Sequence, residues 1–318
     1  MPKTDIDLRV TLAGLELQNP LMVASGTFGW GEVFAKVEGF DNDRLGAIVL
    51  KGTTLKPRRG NPVPRLVETA GGAGIINSIG LENPGVDAVI CNHLPPLAGC
   101  KAKVIANVAG GTVEEYVEVA ARFDGAERID AMEINISCPN VKEGGAAFGA
   151  SAGMASEVVA AVRSATAKPL IAKLSPNVTD IVDIALACIK AGADALSLIN
   201  TLRALAIDLQ TRRPVLGNNI GGLSGPAIKP VALLKVHEVR RAVRDSGVSV
   251  IGIGGIAGAH DAMEFIVAGA TAVQVGTALF ANPNVCTEIL SGLTELTREM
   301  GARRIQDLVG TLTLNRGE

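Results

Sequence analysis

Aromatic residues are scarce in this chain: one tryptophan, one tyrosine and seven phenylalanines among 318 positions. A surface that stacks successive bases needs such rings, so the composition speaks against a nucleic-acid platform. An excess of one charge is also missing. Lysine and arginine total 30 against 32 acidic residues, a formal net charge of −2 without a long basic block. An electrostatic grip on nucleic acid or an anionic membrane therefore has no footprint. The opening stretch MPKTDIDLRVTLAGLELQNP lacks an apolar run long enough to span or anchor in a bilayer. The five cysteines, Cys91, Cys100, Cys138, Cys188 and Cys286, form no C-x-x-C pair. That spacing suggests neither a zinc ribbon nor an iron–sulfur cluster on this chain. Their odd number, with no secretory signal, points to reduced thiols and a cytoplasmic location. His93, His237 and His260 are scattered, without metal-ligand spacing, and no Ser/His/Asp arrangement stands out.

What is present is a large apolar core, with 47% hydrophobic residues, and 37 glycines. Eight short apolar runs recur, each ending in small or polar residues: LMVASG from Leu21, AIVLKG from Ala47, KVIANVAG from Lys103, AMEINISC from Ala131, LIAKLS from Leu170, ALSLIN from Ala195, VIGIGG from Val250 and AVQVGT from Ala272. Continuous rather than alternating apolarity fits strands buried on both faces of a parallel sheet. Helical patterns lie between most of them. TVEEYVEVAARF begins on a capping threonine with an acidic first turn, and TDIVDIALACIKAGA carries helically spaced apolar residues with a glycine near its end. The pattern predicts an α/β fold, a (β/α)8 TIM barrel, over residues 1–318 as a single domain. An open doubly wound sheet is the rival, but no G-x-G-x-x-G follows the first strand. Two long connections, 52 to about 100 and 200 to about 230, are expected to be ordered loops over the active face. The first 20 residues are expected to form an N-terminal hairpin, turning near AGLEL, that caps the barrel bottom.

In such a barrel the carboxyl ends of the strands carry the chemistry. There the sequence places Ser25, Lys51, Asn107, Asn135 with Cys138, Lys173, Asn200 with Thr201, Gly254 with Gly255, and Gly276 with Thr277. Two lysines at the ends of apolar strands either snorkel from the rim or meet an anionic partner. Together with the asparagines they favour a charged, hydrogen-bonding ligand. The glycine turns after the last two strands point to a phosphate, since exposed backbone N–H groups bind phosphate and glycine permits close approach. Cys188 and Cys286 read as small core fillers. Cys138 differs: it follows a strand end, precedes a proline and opens a glycine-containing stretch suited to a mobile lid. A thiol titrates nearer neutrality than a hydroxyl, so it can accept a proton or act as a nucleophile.

Four segments, NISCPNVKEGGAAFG, NSIGLENPG, RRPVLGNNIGGLSGPAIKP and VIGIGGIAGAHDAMEFIVAGA, together resemble the dihydroorotate dehydrogenases of class 1B, and the likeness runs through essentially the whole chain. That resemblance implies an FMN-containing barrel that oxidises dihydroorotate to orotate in pyrimidine synthesis. By it, Cys138 is the base at C5 and hydride leaves C6 for the flavin. Lys51, the loop Asn77, Ser78, Ile79, Gly80 and Leu81, and Asn135, Asn200 and Thr201 hold the substrate. FMN contacts Ser25, Lys51, Gly52, Asn107, Asn135, Lys173, Ile199, Gly225, Gly254, Gly255, Gly276 and Thr277. The resemblance also implies a homodimeric core within a heterotetramer, completed by an electron-transfer subunit that carries FAD and a 2Fe–2S cluster and passes electrons to NAD. Alternatives within flavin barrels are a fumarate-dependent class 1A enzyme and a dihydropyrimidine dehydrogenase-like barrel acting on uracil or thymine. A phosphate-binding scaffold without catalysis is the alternative from another class.

Overall fold

The computed structural model describes residues 6–137 and 148–315. The chain opens with β1 (Val10–Leu12) and β2 (Leu15–Leu17), an antiparallel hairpin turning at Ala13 and Gly14, whose φ angles are 48° and 79°. Two positive φ values in a two-residue turn match the twist of the flanking strands. Val10, Leu12 and Leu17 are buried, so the hairpin closes the barrel at its amino end, as the sequence suggests.

The remaining strands are β3 (Leu21–Val23), β4 (Ala47–Val49), β5 (Leu66–Glu68), β6 (Ile75–Asn77), β7 (Lys103–Val108), β8 (Ala131–Ile134), β9 (Leu170–Lys173), β10 (Ala195–Leu198), β11 (Leu202–Ala204), β12 (Ile207–Asp208), β13 (Arg213–Pro214), β14 (Gly221–Ser224), β15 (Ser249–Ile253) and β16 (Ala272–Val275). Eight of them, β3, β4, β7, β8, β9, β10, β15 and β16, pair in parallel and close into a barrel. They fall on the eight apolar runs. Each packs helices or loops outside and the barrel interior inside, so β3, β4, β8, β9, β10 and β16 are buried at every residue.

The helices are α1 (Val86–Ala88), α2 (Val113–Asp124), α3 (Ala152–Arg163), α4 (Ile181–Lys190), α5 (Lys229–Ala242), α6 (Ala259–Ala268), α7 (Ala278–Ala281) and α8 (Val285–Glu299). Side-chain oxygens of Thr112, Ser151 and Asp180 accept first-turn N–H groups of α2, α3 and α4. Those bonds satisfy donors that the helix itself leaves open. The first two repeats lack a full helix. Only short 3-10 turns at Phe34–Lys36 and Asn42–Arg44 follow β3, and α1 runs into a π turn at Val89–His93 after β4.

The two long connections meet. β5 and β6 from the first join β11 and β14 from the second in a four-stranded antiparallel sheet, ordered β11-β14-β6-β5. Gly222 of β14 pairs with Arg203 on one side and Asn77 on the other. Only glycine fits there, because a Cβ would stand 1.9 Å from Thr201 Oγ1. The β12–β13 arm extends from this sheet and leaves Ile207 and Leu209 exposed. Among the described residues no helix is long and apolar enough to cross a membrane.

Candidate active site

A cavity of about 800 Å³ opens at the carboxyl ends of the barrel strands, bounded on one side by the second sheet. Most predicted site residues line it. Ser25 follows β3, and Lys51 and Gly52 follow β4. The second sheet and its connection contribute Asn77, Ile79, Gly80 and Leu81. Asn135 stands past the end of β8 and Lys173 ends β9, with Ile199, Asn200 and Thr201 beyond β10. Gly225, Gly254, Gly255, Gly276 and Thr277 complete the wall. Two predicted residues sit behind it. Ser78 is fully buried, its Oγ accepting from Asn61 Nδ2 at 2.9 Å. Asn107 is fully buried too, and it backs Asn135 and Gly52. Cys138, predicted as the base, lies outside the described residues.

Charge at the cavity floor is organised by Glu133, which the sequence reading passed over. This β8 carboxylate is fully buried. Its Oε1 accepts from Asn107 Nδ2 at 2.7 Å and Lys173 Nζ at 3.3 Å. Its Oε2 accepts from Ser197 Oγ at 2.8 Å and Gln274 Nε2 at 2.9 Å. A buried lysine survives when paired and hydrogen-bonded, and Lys173 is only 5% exposed. Among the described residues no carboxylate pairs with Lys51 in this way. Burial pushes its ammonium below the usual lysine range, the distant Glu82 opposing the shift and Arg65 adding to it. Elsewhere, burial pushes the thiols of Cys188 and Cys286 up to about 12, as befits core fillers.

The glycine turns bring backbone to the cavity edge. Gly254 and Gly255 have φ angles of 130° and 74°, and a Cβ on Gly255 would lie 2.7 Å from Lys229 Cβ and 2.9 Å from Gly225 O. Next to them Thr277 Oγ1 donates to Ser224 Oγ at 2.8 Å.

The family model of dihydroorotate dehydrogenase matches residues 7–297. The chain is 57% identical to the dihydroorotate dehydrogenase B (NAD(+)) catalytic subunit of Pelobacter propionicus, covering 96% of this chain and 98% of that protein. Against the protein of the same name from Trichlorobacter lovleyi the identity is 56%, with the same coverage. The chain belongs to the dihydroorotate dehydrogenase family. The fold is also that of the Eimeria tenella dihydroorotate dehydrogenase solved with ferulenol, at a TM-score of 0.81 and 24% identity over 98% of this chain and 90% of that one.

Dihydroorotate dehydrogenases bind a flavin, and the residues present here fit one. Gln274 lines the cavity, yet its buried Oε1 accepts no hydrogen bond from the described residues. The complement of such an orphan is a ligand N–H, which an isoalloxazine imide carries. The left-handed Gly254 and Gly255 let the backbone itself form the cavity edge, close against α5 and Gly225. The volume suits a cofactor with a small substrate beside it. Among the described residues no group of metal-ligating side chains occurs.

Glu133 and Gln274 left one signal in the sequence, a single polar residue inside the apolar strand stretches AMEI and AVQV. In a strand buried on both faces such a residue must have a partner inside the barrel.

Proposed function

We propose that this chain oxidises dihydroorotate to orotate in pyrimidine biosynthesis, holding FMN in the barrel mouth. Electrons leave for NAD through a partner subunit that carries FAD and a 2Fe–2S cluster. The observation that carries the reading is convergence. In a chain 57% identical to a dihydroorotate dehydrogenase B catalytic subunit, Lys51 and Asn77 from the connection after β4, Asn135 from that after β8 and Asn200 from that after β10 face one cavity.

When bound, FMN supplies the acceptor for the hydride from C6 of the substrate. The chain's own residues do the rest. Asparagine N–H groups donate to oxygen acceptors, so Asn77, Asn135 and Asn200 suit the carbonyl and carboxylate oxygens of an orotate-like pyrimidine. Lys51 is desolvated and pairs with no carboxylate among the described residues, so an anionic substrate supplies a counter-charge. Ser25, Gly52, Ile199, Gly225, Gly254, Gly255, Gly276 and Thr277 hold the cofactor, with Asn107 supporting from behind. Lys173, fixed by Glu133, places a cation where negative charge accumulates on reduction. Cys138 follows Ser137 in the chain and takes the C5 proton, so that loss of proton and hydride leaves the C5–C6 double bond of orotate. The loop Asn77 to Leu81, including the buried Ser78, and Thr201 complete the substrate wall.

Rapid mixing of the oxidised holoprotein with substrate tests this. Dihydroorotate is expected to bleach the bound flavin and dihydrouracil is not; the reverse result removes the substrate assignment. With the partner subunit added, NAD is expected to be reduced, whereas turnover with fumarate alone would move the chain to the partner-free class.

A further inference from the structure

A hydrogen-bond chain runs from Glu133 to the far wall of the cavity. Asn107 Nδ2 donates to Glu133 Oε1 at 2.7 Å. Asn135 Nδ2 donates to Asn107 Oδ1 at 3.3 Å, and Ser137 Oγ to Asn135 Oδ1 at 3.1 Å. Asn200 Nδ2 donates to Ser137 Oγ at 2.7 Å, and the backbone N–H of Thr201 to Asn200 Oδ1 at 2.8 Å. Every link points the same way. The two ends dictate this. A carboxylate only accepts, and a backbone N–H only donates. No amide in between can turn over without breaking a bond at one end or burying two like groups against each other.

We propose that Glu133 is the positioning residue that orients the substrate-reading amides of this site. With one N–H of Asn135 and one of Asn200 spent along the chain, each amide keeps its second N–H for a ligand. The wall is thereby set as a donor surface for the carbonyl and carboxylate oxygens of an acceptor-rich ring. The same carboxylate draws in the amine end of Gln274 and so turns its unpartnered Oε1 outward from that contact. A neutral glutamine at position 133 loses this command. Its single NH2 stands either against Asn107 and Lys173 or against Ser197 and Gln274, and the amide on that side, Asn107 or Gln274, must invert to accept it.

The inference rests on the proposed substrate, and its test is orotate binding to the oxidised holoprotein, followed through the flavin spectrum. Glu133→Gln is expected to weaken orotate binding about tenfold or more, since each inverted amide sets like against like. Adding Asn107→Asp moves the acceptor-only group one step along the chain, re-fixes Asn135, and is expected to recover most of the affinity. A purely structural role for Glu133 makes the double variant worse than the single one. Ser137→Ala cuts the chain without touching Glu133 or Lys173 and is likewise expected to weaken binding about tenfold. It decides the matter if Glu133→Gln does not hold flavin. Binding within twofold of wild type for either single variant, or no recovery in the double, overturns the proposal. If wild-type protein fails to bind orotate, the substrate reading falls by itself. Neutron diffraction then judges the amides directly: Asn107, Asn135 or Asn200 with its oxygen toward Glu133 ends the inference whichever ligand binds.

Discussion

At the scale of single residues, the reaction asks two side chains for opposite behaviour. In the proposed reaction Cys138 is the base and must take up a proton, whereas Lys51 must keep one while partly buried. Cys138→Ala is expected to lower turnover near neutral pH by about a hundredfold or more, the usual share of a positioned base. Orotate affinity is expected to stay within a few-fold, because the amides remain. Steady-state rates beside spectral titration check this, and unchanged turnover removes the base assignment. For Lys51 the sign follows from burial. Its folded ammonium loses the proton below the ordinary 10.5, while the unfolded lysine keeps its own to about that value. Between the two the unfolded state holds more protons, so this group's contribution to the stability of ligand-free protein rises with pH through that window. An orotate carboxylate prefers the ammonium. Orotate affinity is therefore expected to fall as alkaline pH strips Lys51, starting below 10.5, and Lys51→Met is expected to be weaker throughout and to lose that limb. An alkaline limb that survives in Lys51→Met would assign it to another group.

Among the elements, the barrel was readable and the second sheet was not, for one physical reason. A strand buried on both faces writes an unbroken apolar run, and all eight such runs became barrel strands. Their polar carboxyl ends, Lys51, Asn135, Lys173 and Asn200, then named the cavity wall in advance. β5, β6, β11 and β14 are short and half exposed, and their pairing joins segments some 145 residues apart, as from Asn77 to Gly222. No local pattern records such a partner. Glu133 was missed because an acid in a strand is legible only as a departure from the run, and its four donors come from four other strands. Close strand approach gives a test of the barrel itself. At Gly46, ahead of β4, a Cβ would lie 2.1 Å from the backbone oxygen of Asn19 and 3.1 Å from that of Leu21. Gly46→Ala must part β3 from β4 and is expected to destabilise the fold by about 1–3 kcal/mol. Urea unfolding should show a lower midpoint at an unchanged slope; an unchanged midpoint would mean the two strands have slack.

For the whole molecule, the exposed apolar side chains bear on assembly. A barrel with a net charge of −2 that leaves large apolar side chains in water offers them to a partner. Three of these side chains lie on or at the base of the β12–β13 arm. Ile207 and Leu209, on the β12–β13 arm, are 57% and 85% exposed. Val63 is 75% exposed and sits where Gly217 N donates to Pro64 O at the base of that arm. The arm grows from the same sheet that walls the cavity, so a second copy covering it would also brace β14 and β6 beside the substrate loop. A homodimer built on this face is expected to dissociate when Ile207→Asp and Leu209→Asp are combined, because two unpaired carboxylates in an apolar contact cost several kcal/mol. Sedimentation equilibrium should give a dimer for the wild type and a monomer for the double variant at micromolar concentration. The dissociated protein is expected to keep its flavin, since the barrel strands that hold it are untouched, but to bind orotate more weakly as the second sheet loosens. A double variant that stays dimeric places the contact elsewhere on the barrel, and one that dissociates with full orotate affinity breaks the link between assembly and the substrate wall.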